Sequence, residues 1–246
     1  MKNLYISGIT GRVGSLLADK VIDDDFFKLI GGSSSQTSKY KGKDIGFLLN
    51  REKLNIYVDS VYPTDLKIDI IVDFSYADST LDLLNKYRNR GIPVLIGTTG
   101  FTQSQLEEIK QISKDLPVLF APNTSAGIAK LKKILSHSEN LFAWDSLINI
   151  SETHHAEKKD SPSGTAIDIQ DILSKAFNRE DINIQSYREG LNPGEHTVSF
   201  ELDKEVISIT HKALDRSIFA NGALKGAKWL INKPAGMYNM LDIYSS

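Results

Sequence analysis

The sequence predicts an α/β protein with a doubly wound parallel sheet, followed by a smaller α+β region with a mixed or antiparallel sheet. Three observations lead to this prediction. Strand, loop and helix alternate over the first half of the chain, a glycine turn joins the first strand to the first helix, and strands follow strands later on. Alternation places parallel strands between helices, whereas consecutive strands favour a separate sheet. With 246 residues and 41% hydrophobic content, the chain can bury a sizeable core.

Charge and composition exclude several classes of function. The chain has 29 basic and 31 acidic residues, a net charge of −2 and no cysteine. Nothing in this balance favours binding to nucleic acid or to an anionic membrane, and no apolar run is long enough to predict a membrane span. The absence of cysteine excludes disulfides and thiol chemistry and is typical of a reducing compartment. Since residues 1–6 also lack signal-peptide features, we expect a cytoplasmic protein.

The first strand, at residues 4–7, leads into a glycine turn and an amphipathic helix. The glycines are spaced G-x-x-G-x-x-G, with Thr10 where a dinucleotide-binding turn usually has its middle glycine. In such a turn Gly8 would allow a tight bend, Gly11 a close approach of the backbone to a pyrophosphate, and Gly14 close packing of helix on strand. The alternative is a glycine-rich turn before a helix, without a ligand.

The second strand, at residues 27–32, ends without the acidic residue that often contacts the adenosine ribose of NAD. Residues 33–41 follow instead, with several hydroxyl groups and the lysines Lys39 and Lys41. These groups could receive the 2′-phosphate of NADP. The alternative is a flexible polar loop that binds nothing.

The remaining elements of the first sheet follow from apolar runs and turn residues. Strands are predicted at residues 54–58, 69–74, 91–96 and 117–120. Helices are predicted at about residues 77–90, 103–114 and 128–138. The loop Gly97-Thr98-Thr99-Gly100 follows one of these strands, and ligands of open α/β sheets bind at the carboxyl ends of strands.

The second region begins with a strand at residues 146–152 that runs into a loop containing His154, His155 and Lys158. Ser163 is a good N-cap for the apolar periodicity that follows, so Ser163-Gly164-Thr165 should open a helix. Three strands are then predicted at residues 183–187, 196–202 and 206–212. A last helix is predicted at residues 217–232, with residues 234–238 ending it.

The loop and the start of this helix form a candidate anion site. The first N–H groups of a helix have no partner within it, and the helix dipole favours a negative charge there. Lys158 and the two histidines would face the same anion. The alternative is a solvated charged loop with an ordinary cap. No metal site is predicted, because His154 and His155 are adjacent and point apart in an extended segment.

The whole string from Glu152 to Ala166 resembles the signature E-x-H-H-x-x-K-x-D-x-P-S-G-T-A of bacterial dihydrodipicolinate reductases. Other family-like blocks occur in family order, at residues 8–14, 73–75, 97–100, 121–125, 194–197, 209–213 and 218–223. The resemblance implies a Rossmann-like dinucleotide-binding domain at residues 1–125 and 216–246. A substrate-binding and oligomerisation domain would occupy residues 126–215. It also implies a homo-oligomer, a tetramer formed through the substrate-domain sheet.

The resemblance also implies the site residues. Lys158 would be the main proton donor, with His154 as its acid–base partner, because a lysine that is buried or crowded by cations gives up its proton more readily. A dicarboxylate substrate would be bound by His155, Ser163, Gly164, Thr165 and Thr99. A cofactor, NADPH and/or NADH, would contact Gly8, Ile9, Thr10, Gly11, Arg12, Val13, Phe74, Gly97, Thr98, Thr99, Ala121, Pro122, Asn123 and Thr124.

The implied reaction is the reduction of 4-hydroxy-tetrahydrodipicolinate with loss of water, in the lysine and diaminopimelate route. The alternatives are another two-domain NAD(P)-dependent dehydrogenase of amino-acid metabolism and a nucleotide-sensing protein without turnover. The chain departs from the family in two ways. Only residues 186–193 remain where the family has a long loop and strand, so the tetramer contacts do not carry over directly. The missing acid after the second strand favours a modest preference for NADPH, with Arg12 and Lys39 or Lys41 near the phosphate.

Overall fold

A computed structural model of the protein describes residues 1–142 and 146–244. The chain divides into two compact units, Met1–Ser125 together with Ser217–Ser246, and Ala126–Arg216. The first unit is therefore discontinuous in sequence, with the second unit inserted into it. No helix in the described ranges is long and apolar enough to cross a bilayer.

The strands and helices of both units are numbered in chain order. The strands are β1 (Lys2–Ser7), β2 (Phe27–Ser33), β3 (Val58–Asp59), β4 (Ile70–Asp73), β5 (Val94–Ile96), β6 (Pro117–Phe120), β7 (Leu147–His154), β8 (Asn183–Arg188), β9 (Glu195–Leu202), β10 (Glu205–Lys212) and β11 (Gly236–Tyr238). The α-helices are α1 (Arg12–Ile22), α2 (Ile45–Leu48), α3 (Ala77–Tyr87), α4 (Gln103–Ile112), α5 (Ala126–Leu135), α6 (Gly164–Phe177) and α7 (Ser217–Leu230).

The sheet of the first unit is parallel throughout, in the order β11, β6, β5, β4, β1, β2, β3. The central strands are apolar and buried; all four residues of β4 are inaccessible to solvent. Strands covered on both faces read as continuous apolar runs, which is why the sequence predicted them. The predicted doubly wound α/β class is confirmed.

Several short elements differ from the sequence prediction. The strand predicted at residues 54–58 is only Val58–Asp59, because Asp44 captures the preceding backbone: its carboxylate accepts from the amides of Leu54 and Asn55. The same carboxylate accepts from the amide of Gly46 and caps the unpredicted helix α2. Residues 234–238 end helix α7 but also contain β11, an edge strand whose pairing with β6 has no local signal.

The glycine turn after β1 has the tight bend that its sequence predicts. Gly8 has a φ of 77°, and a Cβ placed there would lie 2.2 Å from the carbonyl oxygen of Phe74. A Cβ on Gly14 would lie 2.2 Å from the carbonyl oxygen of Gly8. Glycine is needed at both positions because the backbone segments approach too closely for any side chain.

The segment that ends the first part of this unit and the helix that begins its second part lie side by side. The Thr124 hydroxyl donates to the carbonyl oxygen of Phe219 at 2.7 Å. A Cβ on Gly222 would lie 1.7 Å from the carbonyl oxygen of Thr124, so helix α7 rests directly on this segment. Further along α7, Gly226 sits against Leu95 of β5 and Leu119 of β6.

The second unit has a mixed four-stranded sheet in the order β10, β9, β7, β8. Strands β7 and β8 are parallel, whereas β9 is antiparallel to both β7 and β10. One face of the sheet packs against α5 and α6 around the buried residues Ile150, Ile169 and Phe200. The other face is rich in hydroxyl groups, with Thr197 paired to Thr210 and Ser199 paired to Ser208.

Candidate functional site

A cavity of about 670 Å³ lies at the carboxyl ends of β1, β2 and β4. The glycine turn contributes Gly8, Thr10 and Gly11 to its wall. The wall also includes the segment Ser33–Gln36, residues 74–76, Tyr62 and Lys86. The two stretches that the sequence connected with a dinucleotide thus face one space. Tyr62 and Lys86 carry no motif, and sequence reasoning missed them.

Several amides of the glycine turn before α1 are hydrogen-bonded within the protein. The amides of Gly8 and Ile9 both donate to the carbonyl oxygen of Ser33, at 2.9 and 3.0 Å, and the amide of Gly11 donates to that of Gly8. These three donors are therefore used within the protein. The amides of Thr10, Arg12 and Val13 remain, at a helix start without a side-chain cap.

The polar segment after β2 is held in place at the edge of the cavity. Gln36 donates to the carbonyl oxygen of Ser60 at 2.8 Å and accepts from the ammonium group of Lys41 at 2.9 Å. Lys39 instead lies over the ring of Tyr40, 5.1 Å from its centroid. Of the two lysines, Lys41 is the one connected to a residue of the cavity wall.

A buried carboxylate, Asp73 at the end of β4, organises the neighbouring loops. It accepts hydrogen bonds from the hydroxyls of Ser75, Thr80 and Thr98, each at 2.6 Å. Thr98 is thereby turned inward and buried. The ring of Phe74 packs on Gly97, where a Cβ would lie 2.1 Å from a ring carbon.

The other predicted residues of the nicotinamide side fall into two groups. Ala121 and Thr124 are buried, and their bonds to Ile96 and Phe219 are structural. Thr99 and Pro122 are exposed, and the side chain of Asn123 accepts from the amide of Ser125 at 2.9 Å. The structure thus separates predicted residues that are buried in the loops from predicted residues that are exposed or half-buried.

In the second unit, the histidine loop starts at the end of β7. Glu152 and His154 are two residues apart on this strand, so both point to the same buried face. His154 Nδ1 donates to Glu152 Oε2. The backbone of the loop of residues 189–193 pairs with the backbone of the two histidines. The Glu189 amide donates to the His154 carbonyl oxygen, and the His155 amide donates to the Asn192 carbonyl oxygen, both at 2.9 Å.

Glu152 also has a positively charged partner. Arg188 donates to both of its carboxylate oxygens, at 2.8 and 3.0 Å, and the amide of Ser163 donates to Oε1 at 3.2 Å. Sequence reasoning missed the part played by Arg188, because this contact links strands β7 and β8 through the fold and leaves no local pattern.

Lys158 lies in the loop with its ammonium group on Asp160, at 2.7 and 2.6 Å from the two carboxylate oxygens. Its backbone amide donates to the carbonyl oxygen of His155 at 3.1 Å. The nearest charged partner of Lys158 is therefore a carboxylate two residues away.

Ser163 is the N-cap of α6, as predicted. Its hydroxyl accepts from the amide of Ala166 at 3.2 Å and lies 3.2 Å from His196 Nε2. The serine is buried, so its hydroxyl serves the helix and not the solvent. Gly164 is exposed, with nothing within 4 Å of where a Cβ would be. The solvent-facing start of α6 is consequently formed by Gly164 and Thr165.

Burial and hydrogen bonding shift the pKa values of this group. Burial alone would raise the pKa of Glu152, but hydrogen bonds from Arg188 and His154 outweigh it and lower the pKa to about 2. Burial lowers the pKa of His154, although Glu152 opposes the shift. Burial, reinforced by the nearby His154, lowers the pKa of His196 to about 3. At neutral pH the network therefore holds one carboxylate and two neutral imidazoles.

Glu152, His154 and His196 offer ligand atoms within 4.8 Å of one another, a set that the sequence did not predict because β9 brings in His196. The oxygens of Glu152 already accept from four donors, and the charge of Arg188 opposes a cation there. The geometry fits a hydrogen-bonded network better than a metal site.

Comparisons with known proteins agree along the whole chain. Residues 2–124 match the family model described as dihydrodipicolinate reductase, N-terminus, and residues 127–244 match that described as dihydrodipicolinate reductase, C-terminus. The chain belongs to the dihydrodipicolinate reductase family. This confirms the family that the signature from Glu152 to Ala166 resembles.

Individual relatives of this reductase family are similar over nearly their full length. The 4-hydroxy-tetrahydrodipicolinate reductase of Hahella chejuensis is 34% identical over 263 aligned residues, covering 99% of this chain and 98% of the relative. The protein of the same name from Pelagibacter ubique is 35% identical, covering 98% and 97%. The 263 aligned positions exceed the 246 residues of this chain, in line with a shortened member of the family.

Solved structures agree on the fold. The dipicolinate-bound dihydrodipicolinate reductase of Paenisporosarcina sp. TG-14 has a TM-score of 0.71 at 19% identity, with 97% of each chain covered. An amine dehydrogenase of Mycobacterium smegmatis has a TM-score of 0.69 at 10% identity, with 97% of this chain and 95% of that chain covered. Because dehydrogenases outside the reductase family share the architecture, the fold alone does not identify the substrate.

The buried imidazole of His196 predicts how stability depends on pH. The pKa of His196 is lower in the folded protein than in the unfolded chain. Its contribution to the free energy of unfolding is therefore complete above about pH 6.5 and is lost as the pH falls toward about 3. Between about pH 7.5 and about pH 5 we expect this residue to account for about 1–2 kcal/mol of lost unfolding free energy.

His196→Gln removes the titrating group, so the drop in unfolding free energy between these two pH values should become smaller. Urea unfolding at both pH values measures it. The matched control is His137→Gln, which replaces an exposed imidazole of the same unit. An equal drop in the native protein and in His196→Gln would contradict the prediction.

Proposed function

We propose that the protein is a 4-hydroxy-tetrahydrodipicolinate reductase. In this reaction hydride from a reduced nicotinamide nucleotide adds to the substrate ring, and the hydroxyl group leaves as water. The observation that carries the proposal is the loop with His154, His155 and Lys158 running into the open N-terminus of α6, in a chain of this family. A helix N-terminus beside a lysine suits an anionic substrate that must receive a proton.

The first unit supports the nucleotide side of the proposal. Its glycine turn leaves a cradle that a side chain at Gly8 or Gly14 would fill, and the amides of Thr10, Arg12 and Val13 can receive a pyrophosphate. Phe74, Thr99, Pro122 and Asn123 are proposed for the nicotinamide side. When bound, the reduced nicotinamide supplies the hydride.

The second unit supports the substrate side. We assign one carboxylate of the substrate to the amides of Gly164 and Thr165 and to the Thr165 side chain, with His155 and Thr99 as further contacts. Ser163 would act indirectly: its hydroxyl caps the helix and meets His196, so it stabilises the turn whose amides bind the anion.

Lys158 and His154 would perform the proton chemistry. Departure of the hydroxyl as water requires a proton, which the ammonium group of Lys158 can donate from its position on Asp160. His154 is held with a proton on Nδ1 by Glu152, so its Nε2 can accept one. The neutral state favoured by the lowered pKa of His154 suits this part.

Two rivals are separated by one assay. Another dehydrogenase of amino-acid metabolism would reduce a different substrate, and a nucleotide-sensing protein would bind the nucleotide without turnover. Purified protein is mixed with NADPH or NADH, with and without 4-hydroxy-tetrahydrodipicolinate, and nucleotide oxidation is followed. Oxidation that requires this substrate supports the proposal. Nucleotide binding without oxidation, or oxidation only with another substrate, would refute it.

We also propose a homo-oligomer formed through the hydroxyl-rich face of the second sheet. That face carries the hydroxyl pairs of β9 and β10 and the exposed side chains Leu147, Tyr187 and Val206. Light scattering of the purified protein measures its mass, and a monomer at assay concentration would contradict this. The family's tetramer and the cytoplasmic location remain predictions.

Substitution of Lys158 tests the proton donor. Lys158→Ala should reduce turnover by about 10²–10⁴-fold, the usual range for loss of a general acid. Affinity for the nucleotide should change little, because Lys158 belongs to the second unit and the glycine turn to the first. Steady-state kinetics and fluorescence titration with NADPH measure the two effects. The control is Lys159→Ala, an exposed lysine one residue further on; equal losses in both variants would remove Lys158 from the role.

The choice of nucleotide is predicted to be a modest preference for NADPH, with NADH also used. No acid follows β2 to bind a free ribose hydroxyl or repel a 2′-phosphate. Exposed cations add little, roughly 1 kcal/mol each. Lys41 touches the cavity residue Gln36, so Lys41→Ala and Arg12→Ala should erode the preference for NADPH and spare NADH.

Lys39→Ala should have the smaller effect of the two lysine variants, since Lys39 lies on Tyr40. The ratio of kcat/KM for the two nucleotides measures each effect. A native protein that clearly favours NADH would overturn the argument from the missing carboxylate.

A further inference from the structure

We propose that Glu152 is a positioning residue for this reaction: together with Arg188 it fixes the ring of His154, the loop of Lys158 and the first turn of α6 in one arrangement. The inference rests on the proposed function, because it assumes that His154 and Lys158 take part in the chemistry. Glu152 itself would touch neither substrate nor nucleotide.

The burial and saturation of Glu152 exclude a direct catalytic part. Its side chain is completely buried. Oε1 accepts from Arg188 and from the Ser163 amide, and Oε2 accepts from Arg188 and His154. A carboxylate offers about four acceptor sites, so none is left for a ligand. Its effect must pass through the groups that it contacts.

The first of these effects concerns the ring of His154. A carboxylate only accepts, so the bond to Glu152 requires the proton of the neutral imidazole to be on Nδ1 and leaves the lone pair on Nε2. Nε2 faces Gly194, where a Cβ would lie 3.0 Å away. The ring is thus oriented by Glu152, and a side chain at residue 194 would crowd its Nε2.

The second effect concerns the loop of Lys158. Arg188 uses the same nitrogen that bonds Glu152 to donate to the carbonyl oxygen of Asp160, at 2.5 Å. The side chain of Asp160 in turn accepts from Lys158. The position of the proposed proton donor is therefore linked, through Arg188, to the carboxylate that orients its partner histidine.

The third effect concerns the anion-binding turn. Glu152 accepts from the amide of Ser163, the residue that caps α6. One carboxylate thereby sets the histidine, the loop and the helix start relative to one another. A buried ion pair gains little stability over apolar side chains of the same size, since desolvation offsets the attraction. The main effect of the pair is therefore the arrangement that it imposes on these three groups.

The test uses Glu152→Gln and the double variant Glu152→Gln/Arg188→Met in the full-length protein. The single variant keeps the volume but leaves the half-buried Arg188 without its counter-charge, which can unfold the unit. The double variant removes both charges and leaves none unpaired. The matched control is Arg179→Met/Asp181→Asn, another arginine–carboxylate pair of the same unit.

Three measurements are made on each folded variant. NMR of the imidazole nitrogens, assigned by the signal lost in His154→Gln, reports which nitrogen carries the proton. Steady-state kinetics report turnover, and fluorescence titration reports NADPH affinity. In the double variant we expect the proton to leave its fixed place on Nδ1 and turnover to fall about 100-fold, the typical cost of a misplaced group. NADPH affinity and the control pair should be unchanged.

The inference is overturned if the double variant keeps the Nδ1 proton of the native protein, or if its turnover stays within about threefold of native. It is also overturned if the control pair loses as much turnover. Failure of the proposed function is seen separately, as native protein without substrate-dependent oxidation of NADPH. The NMR comparison decides whether Glu152 fixes the ring in that case too, because it needs no turnover.

Discussion

A carboxylate removed from water must collect enough hydrogen-bond donors to replace its hydration, and both units of this protein are arranged around that constraint. In the first unit Asp73 gathers three hydroxyl groups from the ends of β4 and β5 and from α3. In the second, Glu152 gathers a guanidinium group, an imidazole and a main-chain amide. Each carboxylate lies near the carboxyl end of a strand, and each holds loops that the proposed chemistry uses.

The two carboxylates differ in what they contact. Among the described residues, the side-chain donors to Asp73 are neutral hydroxyl groups from segments close to one another in the first unit. Glu152 has a charged donor from β8, the strand beside it. The first arrangement shapes a rigid edge for a ligand. The second connects a titratable ring to the loop of Lys158, which suits proton transfer more than binding alone.

Local patterns in the sequence are enough to predict the parts of the fold that local forces determine. The glycine turn, the cap at Ser163 and the buried strands of the first sheet each have a signal within a few residues. The signature from Glu152 to Ala166 is likewise contiguous, and it indicates the family without any knowledge of tertiary contacts. What these parts share is that neighbours in sequence make the contacts that matter.

Contacts between distant segments could not be predicted in the same way. Arg188 and His196 reach the histidine loop only because β8 and β9 flank β7. The strand β11 has three residues and forms because β6 offers a free edge. The amides of Gly8 and Ile9 donate to the carbonyl oxygen of Ser33 at the end of β2. Contacts of this kind are determined by the order of strands in the sheet, and they leave no periodic pattern in the sequence.

The interruption of the first unit has a consequence for how the chain folds during synthesis. When residues 1–125 have emerged from the ribosome, α7 and β11 have not yet been made, so Leu95 and Leu119 lack the helix that covers them and β6 is an open edge. Domains usually fold in order from the N-terminus. Here the second unit can complete its sheet before the first can close, and the hydrogen bond from Thr124 to Phe219 spans 95 residues. The early part of the chain must wait, exposed to aggregation, for its last helix.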